Sequence, residues 1–573
     1  MTRRPAGERV LRVARGEEPA DLLLRGGRVL STATREWVDT DLAIADGVVA
    51  GWGPRDAHEE VDVAGAALTP GLIDAHMHLE STKLWVDQFV AAVLPHGTTA
   101  VVADPHELAN VAGVPGVALL ADAARQLPFT FAIAASSCVP ASRFESPGAW
   151  LGPDEVGTLL DEVGAIGIAE VMDFPAVVAG DPAMMAKIAR AGRRRVDGHA
   201  PGLGGRALDA YLAAGVESDH ECTTLAEAEE RRRKGMWVFV RQGSASQNLA
   251  ALVETVLRHG TDLVALCTDD REPDTLVELG HVNDCVRLAV RHGVGEIDAL
   301  VMATANPAAY HGLSELGSLG PGAQADVVAF DHLDGFEPAR VWQAGRLVAA
   351  DRAVVPGAVP TLDVPALLRD SVHLGSPPRA AALDAGLASG TVARVIGVEA
   401  GSLTTRSLRL PWDEPLADVA RLAVVERHHR TGRVGLGFVS GFGLRHGAIA
   451  STVAHDAHNV MVVGCRDASG PAEMAAAVGR LVELGGGQVV VRDGRVLAEV
   501  ALPLAGLMSD RPVAEVAAAV AEATAAARNA LGVDLPAPFM TLSFLGLSVI
   551  PELRLTDQGL VDVEHFALAP LVV

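Results

Sequence analysis

The sequence predicts a (β/α)8 barrel of TIM type, inserted in a small β-sandwich domain and followed by a C-terminal α/β domain. Between about Leu68 and Leu316, eight apolar runs of strand length alternate with helical patterns. Such alternation implies parallel βαβ units. Eight units in about 250 residues is the size of a closed barrel. Two β-rich stretches of similar texture bracket that span. One small domain is therefore expected from both flanks, over 1–68 plus 317–362, with the barrel over 69–316 and an α+β domain over 363–573.

In chain order, "DLLLRGGRVL", "DLAIADGVVAGWG" and "VDVAGAALTPG" read as strands that break at Gly-Gly, Asp-Gly and Pro-Gly. The barrel runs are "LTPGLIDAH", "GTTAVVADPH", "FTFAIAASSCV", "AIGIAEV", "RRVDGHA", "GVESDHE", "MWVFVRQG" and "DLVALCTDD". Helical patterns such as "LWVDQFVAAVLPHG", "GVALLADAARQL", "DEVGTLLDEV", "AMMAKIARAG" and "GRALDAYLAAG" separate them. "GSLGPGAQADVVAFD" and "ARVWQAGRLVAADRAVV" return to strands with Gly turns. A Pro- and Leu-rich connector after Pro360 leads to a third region. There "GTVARVIGVEAG" and "QVVVRDGRVLAEV" read as strands, and "VAEVAAAVAEATAAARNALG" as a helix by its Ala content.

Bulk properties exclude several partners. With 573 residues the chain exceeds a single core. The net charge of −25, from 72 acidic and 47 basic residues, argues against nucleic acid or an anionic membrane, because phosphate binding needs a basic surface. The start, "MTRRPAGERVLRVARGEEPA", is charged and no apolar segment follows, so no signal peptide is expected. No uncharged run approaches a membrane span of about 20 residues. Five scattered cysteines without a CxxC pair fit a reducing cytoplasm, each as a small buried residue. A small-molecule substrate and a homo-oligomer are the expected partners.

Barrel chemistry sits where strands end. The runs end in His76 and His78, in Asp104 and His106, in Ser136 and Ser137, in Glu170, in Asp197 and His199, in Asp219, His220 and Glu221, in Arg241 and Gln242, and in Asp269 and Asp270. His76 and His78 are two apart and project to one face of a strand. Four histidines and two carboxylates suit a divalent metal with N and O ligands. Six ligands exceed one tetrahedral ion, and a carboxylate can bridge two ions, so a binuclear centre is expected. Singly, each residue has a blander reading: an unliganded loop pair, a satisfied histidine, a solvated Glu170, or Asp269 and Asp270 capping a helix. Only the set distinguishes them. His281 could approach from the loop after the eighth strand.

These residues resemble the amidohydrolase superfamily, with HxH, a carboxylate, His, His and Asp on successive strands. "DAHMHLESTK", "ADPHELANVAG", "IAEVMDFP", "DGHAPGLGGRALDAYLAAG", "SDHE", "CTDDR", "TVAHDAHNVMVVG", "LPLAGLMSD" and "PFMTLSFLGLSVIPELRLTDQGLVDV" are more narrowly similar to the adenine deaminase family. The resemblance implies that adenine is hydrolysed to hypoxanthine and ammonia by a metal-bound hydroxide, in purine salvage. By the same resemblance His76 and His78 hold one ion, His199 and His220 a second, and Glu170 bridges them in place of a carboxylated lysine. Asp269 ligates the first ion and serves as general base. Manganese or iron is expected, with zinc compatible. Arg241, Gln242 and Ser244, in the loop after strand seven, could read polar edges of a purine, and Asp104, His106 and Glu107, on the loop after strand two, could serve likewise. The cluster His455, Asp456 and His458 is either a packed polar network or a cap over the barrel mouth. A related hydrolase of another nucleobase or cyclic amide, and a catalytically silent scaffold, are the competing functions.

Overall fold

A computed structural model describes residues 6–398, 404–412 and 418–573. The first five residues of the charged start, and the end of "GTVARVIGVEAG", lie outside them.

Eight strands, Leu72–Met77, Thr98–Ala103, Thr130–Ile133, Gly167–Val171, Arg195–Gly198, Ser218–Asp219, Trp237–Arg241 and Val264–Cys267, fall on the eight apolar runs. Each pairs with the next. The first three are parallel neighbours, Ala135 bridges to Ile168, and the fourth pairs with the fifth. Glu217 N donates to Val196 O at 2.9 Å, and the last three are parallel. The eighth returns to the first: Asp269 N donates to His76 O at 3.0 Å, and His78 N to Asp269 O at 3.2 Å. The strands thus form a parallel ring. Thr98–Ala103 and Gly167–Val171 are buried along their whole length, as expected of strands covered on both faces.

The chain enters the ring through "TPGLID". Ala67–Pro70 runs antiparallel to Val327–Phe330, so both flanks meet in one nine-stranded sheet. A Cβ at Gly71 would lie 1.9 Å from Thr99 Oγ1, so only glycine lets the chain pass from that sheet into the first ring strand. The long strand Ala20–Ser31 shifts register between Leu24 and Gly27. Its first part pairs with Ala57–Asp62 and its second with Ala67 and Leu68.

Helix His106–Ala124 is long and apolar enough by composition to cross a membrane. It is instead mostly buried in the protein, and it breaks at Gly113 (φ 61°) ahead of Pro115. His106 and Glu107 form its first turn, where a loop was expected.

The C-terminal part is an eight-stranded sheet covered by helix Gly470–Leu484, with a second helix at Val513–Ala526. Its hairpin Gly487–Arg492 and Arg495–Ala501 turns on Asp493 and Gly494, both at positive φ, as a two-residue hairpin requires. Helix Pro538–Phe544 and the residues after it reach back to the C-terminal ends of the ring strands. All five cysteines are buried and unpaired.

Glu145, in the loop after the third ring strand, is buried and accepts from Ser548 Oγ. Burial, with Asp456 nearby, pushes its pKa up to about 8. The folded state therefore binds a proton that the unfolded chain releases near 4.5, so stability should fall as pH rises from 4.5 to about 8. Glu145→Gln mimics the protonated form. Its melting temperature is expected to decline less over that range than the parent's, and parallel declines would reject the assignment.

Candidate active site

His76, His78, Glu170, His199, His220 and Asp269 converge at one end of the ring, none more than 6 % exposed. His76 Nε2 lies 3.5 Å and His78 Nε2 3.1 Å from Asp269 Oδ1. Glu170 faces two ways. Its Oε1 lies 3.4 Å from His78 Nε2, while its Oε2 lies 2.8 Å from His199 Nδ1 and 3.2 Å from His220 Nε2. The His76 and His220 rings stack with centroids 4.2 Å apart.

Buried scaffolding holds these side chains. Asp74, below the histidine pair, accepts from Thr268 N at 3.1 Å and from Thr268 Oγ1 at 2.5 Å, locking the first strand to the eighth. His199 N donates to the Tyr211 hydroxyl at 3.0 Å, which donates to Val171 O at 2.7 Å. Asp219, bound to buried Arg231, accepts from Ala200 N and Glu221 N at 3.1 Å each and fixes the loops after strands five and six. Asp269 itself sits at φ 58°, a left-handed backbone that a non-glycine residue adopts at a cost of about 1–3 kcal/mol.

The ring nitrogens identify the ligand atoms. His78 Nδ1 lies 3.0 Å from the Asp104 carbonyl, which only accepts, so Nδ1 carries a hydrogen and Nε2 is the nitrogen left to take a proton or a metal ion. It faces the carboxylates of Asp269 and Glu170. Acceptors converging on one point need a cation, either protons or metal. His76 Nε2 is buried without a hydrogen-bond partner, as a ligand atom would be. Burial disfavours charge on His78 and His199. Yet Asp269 and Glu170 raise His78 well above 6.5, and Glu221 and Glu170 raise His199 to about 9. Burial also disfavours the charged carboxylates, but His199 and His220 hold Glu170 well below 4.5. Arg241, with His76 and His78, holds Asp269 well below 3.8. This donor set fits divalent cations with N and O ligands.

Of the remaining expected residues, Arg241 Nη1 bonds Asp269 Oδ2 at 2.8 Å and also pairs with Glu221. His106 Nδ1 lies 3.1 Å from Asp104 Oδ2 and 3.4 Å from Glu170 Oε1, so this pair adjoins the cluster. Ser244 bonds Thr275 Oγ1 and Glu272 N and lines only an outer cleft. Gln242 lines neither that cleft nor the cavity at the cluster. His281 lies beneath the pair, against Thr98, Thr268 and Asp74, away from the cavity. The C-terminal part contributes His455, Asp456, Phe544, Leu547 and Ile550 to the cavity wall. His458 lies behind them, 3.3 Å from Glu107. Sequence reading placed Glu221 at the end of strand six but gave it no role in the site. It missed the apolar wall because leucine, isoleucine and phenylalanine in "SFLGLSVI" look like any core.

A parallel ring whose strand ends gather imidazoles and carboxylates at one buried point has the construction of a metal-dependent hydrolase. Residues 67–348 match the model of the Amidohydrolase family, and residues 402–567 that of the Adenine deaminase C-terminal domain. Adenine deaminase of Nitratidesulfovibrio vulgaris is 44 % identical over 577 residues, spanning 99 % of both chains. That of Methylobacterium nodulans is 44 % identical over 562 residues, 96 % of this chain and 97 % of its own. Adenine deaminase 2 of Carboxydothermus hydrogenoformans is 41 % identical, over 98 % and 99 %. The chain belongs to the adenine deaminase family.

Metal must displace protons from the raised histidines, so affinity should rise with pH through about 9, the value of His199. Titration of metal-free protein with Mn²⁺ at pH 7 and pH 9 should show tighter binding at the higher pH, with proton release; equal affinities would contradict the protonation pattern. His76→Ala with His78→Ala should lose bound metal while circular dichroism stays unchanged.

Proposed function

We propose that the protein hydrolyses adenine to hypoxanthine and ammonia. The observation that supports this most is the match to adenine deaminases along the whole chain, including the C-terminal segment that walls the cavity. In this reading the ring is a TIM-type (β/α)8 barrel over 69–316. A β-sandwich domain from 1–68 plus 317–362 flanks it, and an α+β domain over 363–573 covers its mouth.

His76, His78 and Asp269 would hold one divalent ion and His199 and His220 a second, with Glu170 placed between the two groups. Manganese or iron suits these donors, and zinc is compatible. Bound divalent metal supplies a water acidic enough to ionise near neutral pH. The residues do the rest. Asp269 is ionised, with Oδ2 held by Arg241, which leaves Oδ1 on the histidine side to take a proton from the attacking water. Returned to the purine, that proton lets the C6 amine leave as ammonia. Arg241 orients Asp269, and Glu221 balances the Arg241 charge. Buried Asp104, held by Ser136 and His106, is a further polar group beside the cluster.

The cavity at the cluster is ≈ 30 Å³, room for a water but too small for a purine. An adjoining cleft of ≈ 560 Å³ shares Glu221, Arg241, Phe544 and Ile550 with it. Adenine enters from that cleft, between the loop after strand seven and the C-terminal segment, and displaces the apolar side chains that separate the two spaces.

Metal-loaded protein should release one ammonia per hypoxanthine from adenine, and Glu170→Gln should lower kcat/KM by about 10²-fold or more. Cytosine and dihydroorotate complete the panel. Turnover of either in place of adenine would reject the substrate, and no turnover of any compound by metal-loaded protein would reject the activity.

A further inference from the structure

A second group of donors lies where the ring meets the C-terminal sheet. His106 opens the helix after strand two, and His455 and Asp456 follow strand Ala448–Ser451. They are 3 %, 5 % and 1 % exposed. The hydrogen on His106 Nδ1 goes to Asp104 Oδ2 at 3.1 Å, since a carboxylate only accepts. His106 Nε2 therefore is the nitrogen that faces Asp456 Oδ1, 3.5 Å away. His455 Nδ1 lies 3.6 Å from that same oxygen and 3.9 Å from Glu107 Oε1.

These separations are long for hydrogen bonds. They are close to the spacing of about 3 to 3.6 Å between donors that share one ion at about 2.1 Å. Asp456 Oδ2 and His455 Nε2 are buried without hydrogen-bond partners, and Glu107 Oε2 faces His458 Nε2 at 3.3 Å. Buried carboxylates need an opposite charge, which protons on His106 and His455 supply or a metal ion in their place would supply.

We propose that His106, His455 and Asp456, with Glu107 as a fourth donor, hold a third divalent cation that pins the C-terminal domain to the barrel. The site draws ligands from both parts of the chain, so it can form only when they are docked. It is additional to the two-ion reading of the strand-end cluster and rests on different atoms, apart from the proximity of His106 to Glu170.

Anomalous diffraction at the manganese edge from Mn²⁺-loaded protein tests it. A peak between His106, His455 and Asp456, beside those at the strand ends, is expected. Peaks confined to the strand ends would overturn the third site and leave the two-ion reading intact. A seam peak without strand-end peaks would do the reverse. By metal analysis, Asp456→Asn and His455→Ala should each bind one equivalent less than the parent. Metal content equal to the parent's in both folded variants would overturn the proposal. If neither variant folds, the parent's anomalous map decides.

Discussion

Glu170 is the residue on which the rest of the site depends. Its carboxylate is buried, and a buried charge is tolerated only when opposite charge meets it closely. Four strand ends supply that charge through His78, His106, His199 and His220, within 2.8 to 3.4 Å. Removing one partner of such a group typically costs about 3–5 kcal/mol. The ring geometry is therefore tied to the electrostatics: strands one, two, five and six must present imidazoles at one height for the fourth strand to bury its acid.

The closure of the ring serves the same end. His76 O, Asp269 N, Asp269 O and His78 N form the last rungs between strands eight and one. Those rungs belong to the residues whose side chains meet over the cavity. Backbone pairing and side-chain convergence are one constraint, which explains why Asp269 accepts a left-handed backbone there. Asp74, one layer below, repeats the tie through Thr268.

Much of this arrangement was legible in the sequence, for a physical reason. Strands of a parallel ring are apolar throughout, so a histidine or carboxylate at the end of such a run stands out. His76, His78, Glu170, His199, His220 and Asp269 all do, and the structure brings them together. Gln242 and Ser244 stood out equally, being polar after an apolar strand, yet their directions are set by the loop that follows, and it turns them elsewhere. His106 looked like a loop residue because Asp-Pro precedes it. The proline instead sits just before the first helical turn, where its missing N–H costs nothing.

The C-terminal wall was the least legible part. Its cluster of His455, Asp456 and His458 announced chemistry, whereas Phe544, Leu547 and Ile550 did not. Burial of an apolar side chain in a core and on a cavity wall leaves the same pattern in sequence, because both remove it from water. What differs is the neighbour. Phe544 stacks on the His455 ring at 4.5 Å and separates the cluster from the outer cleft. A dry partition beside buried charges strengthens every electrostatic contact behind it. In the proposed function the same partition would have to yield for a purine to enter, so the part that sharpens the site's electrostatics would also control access to it.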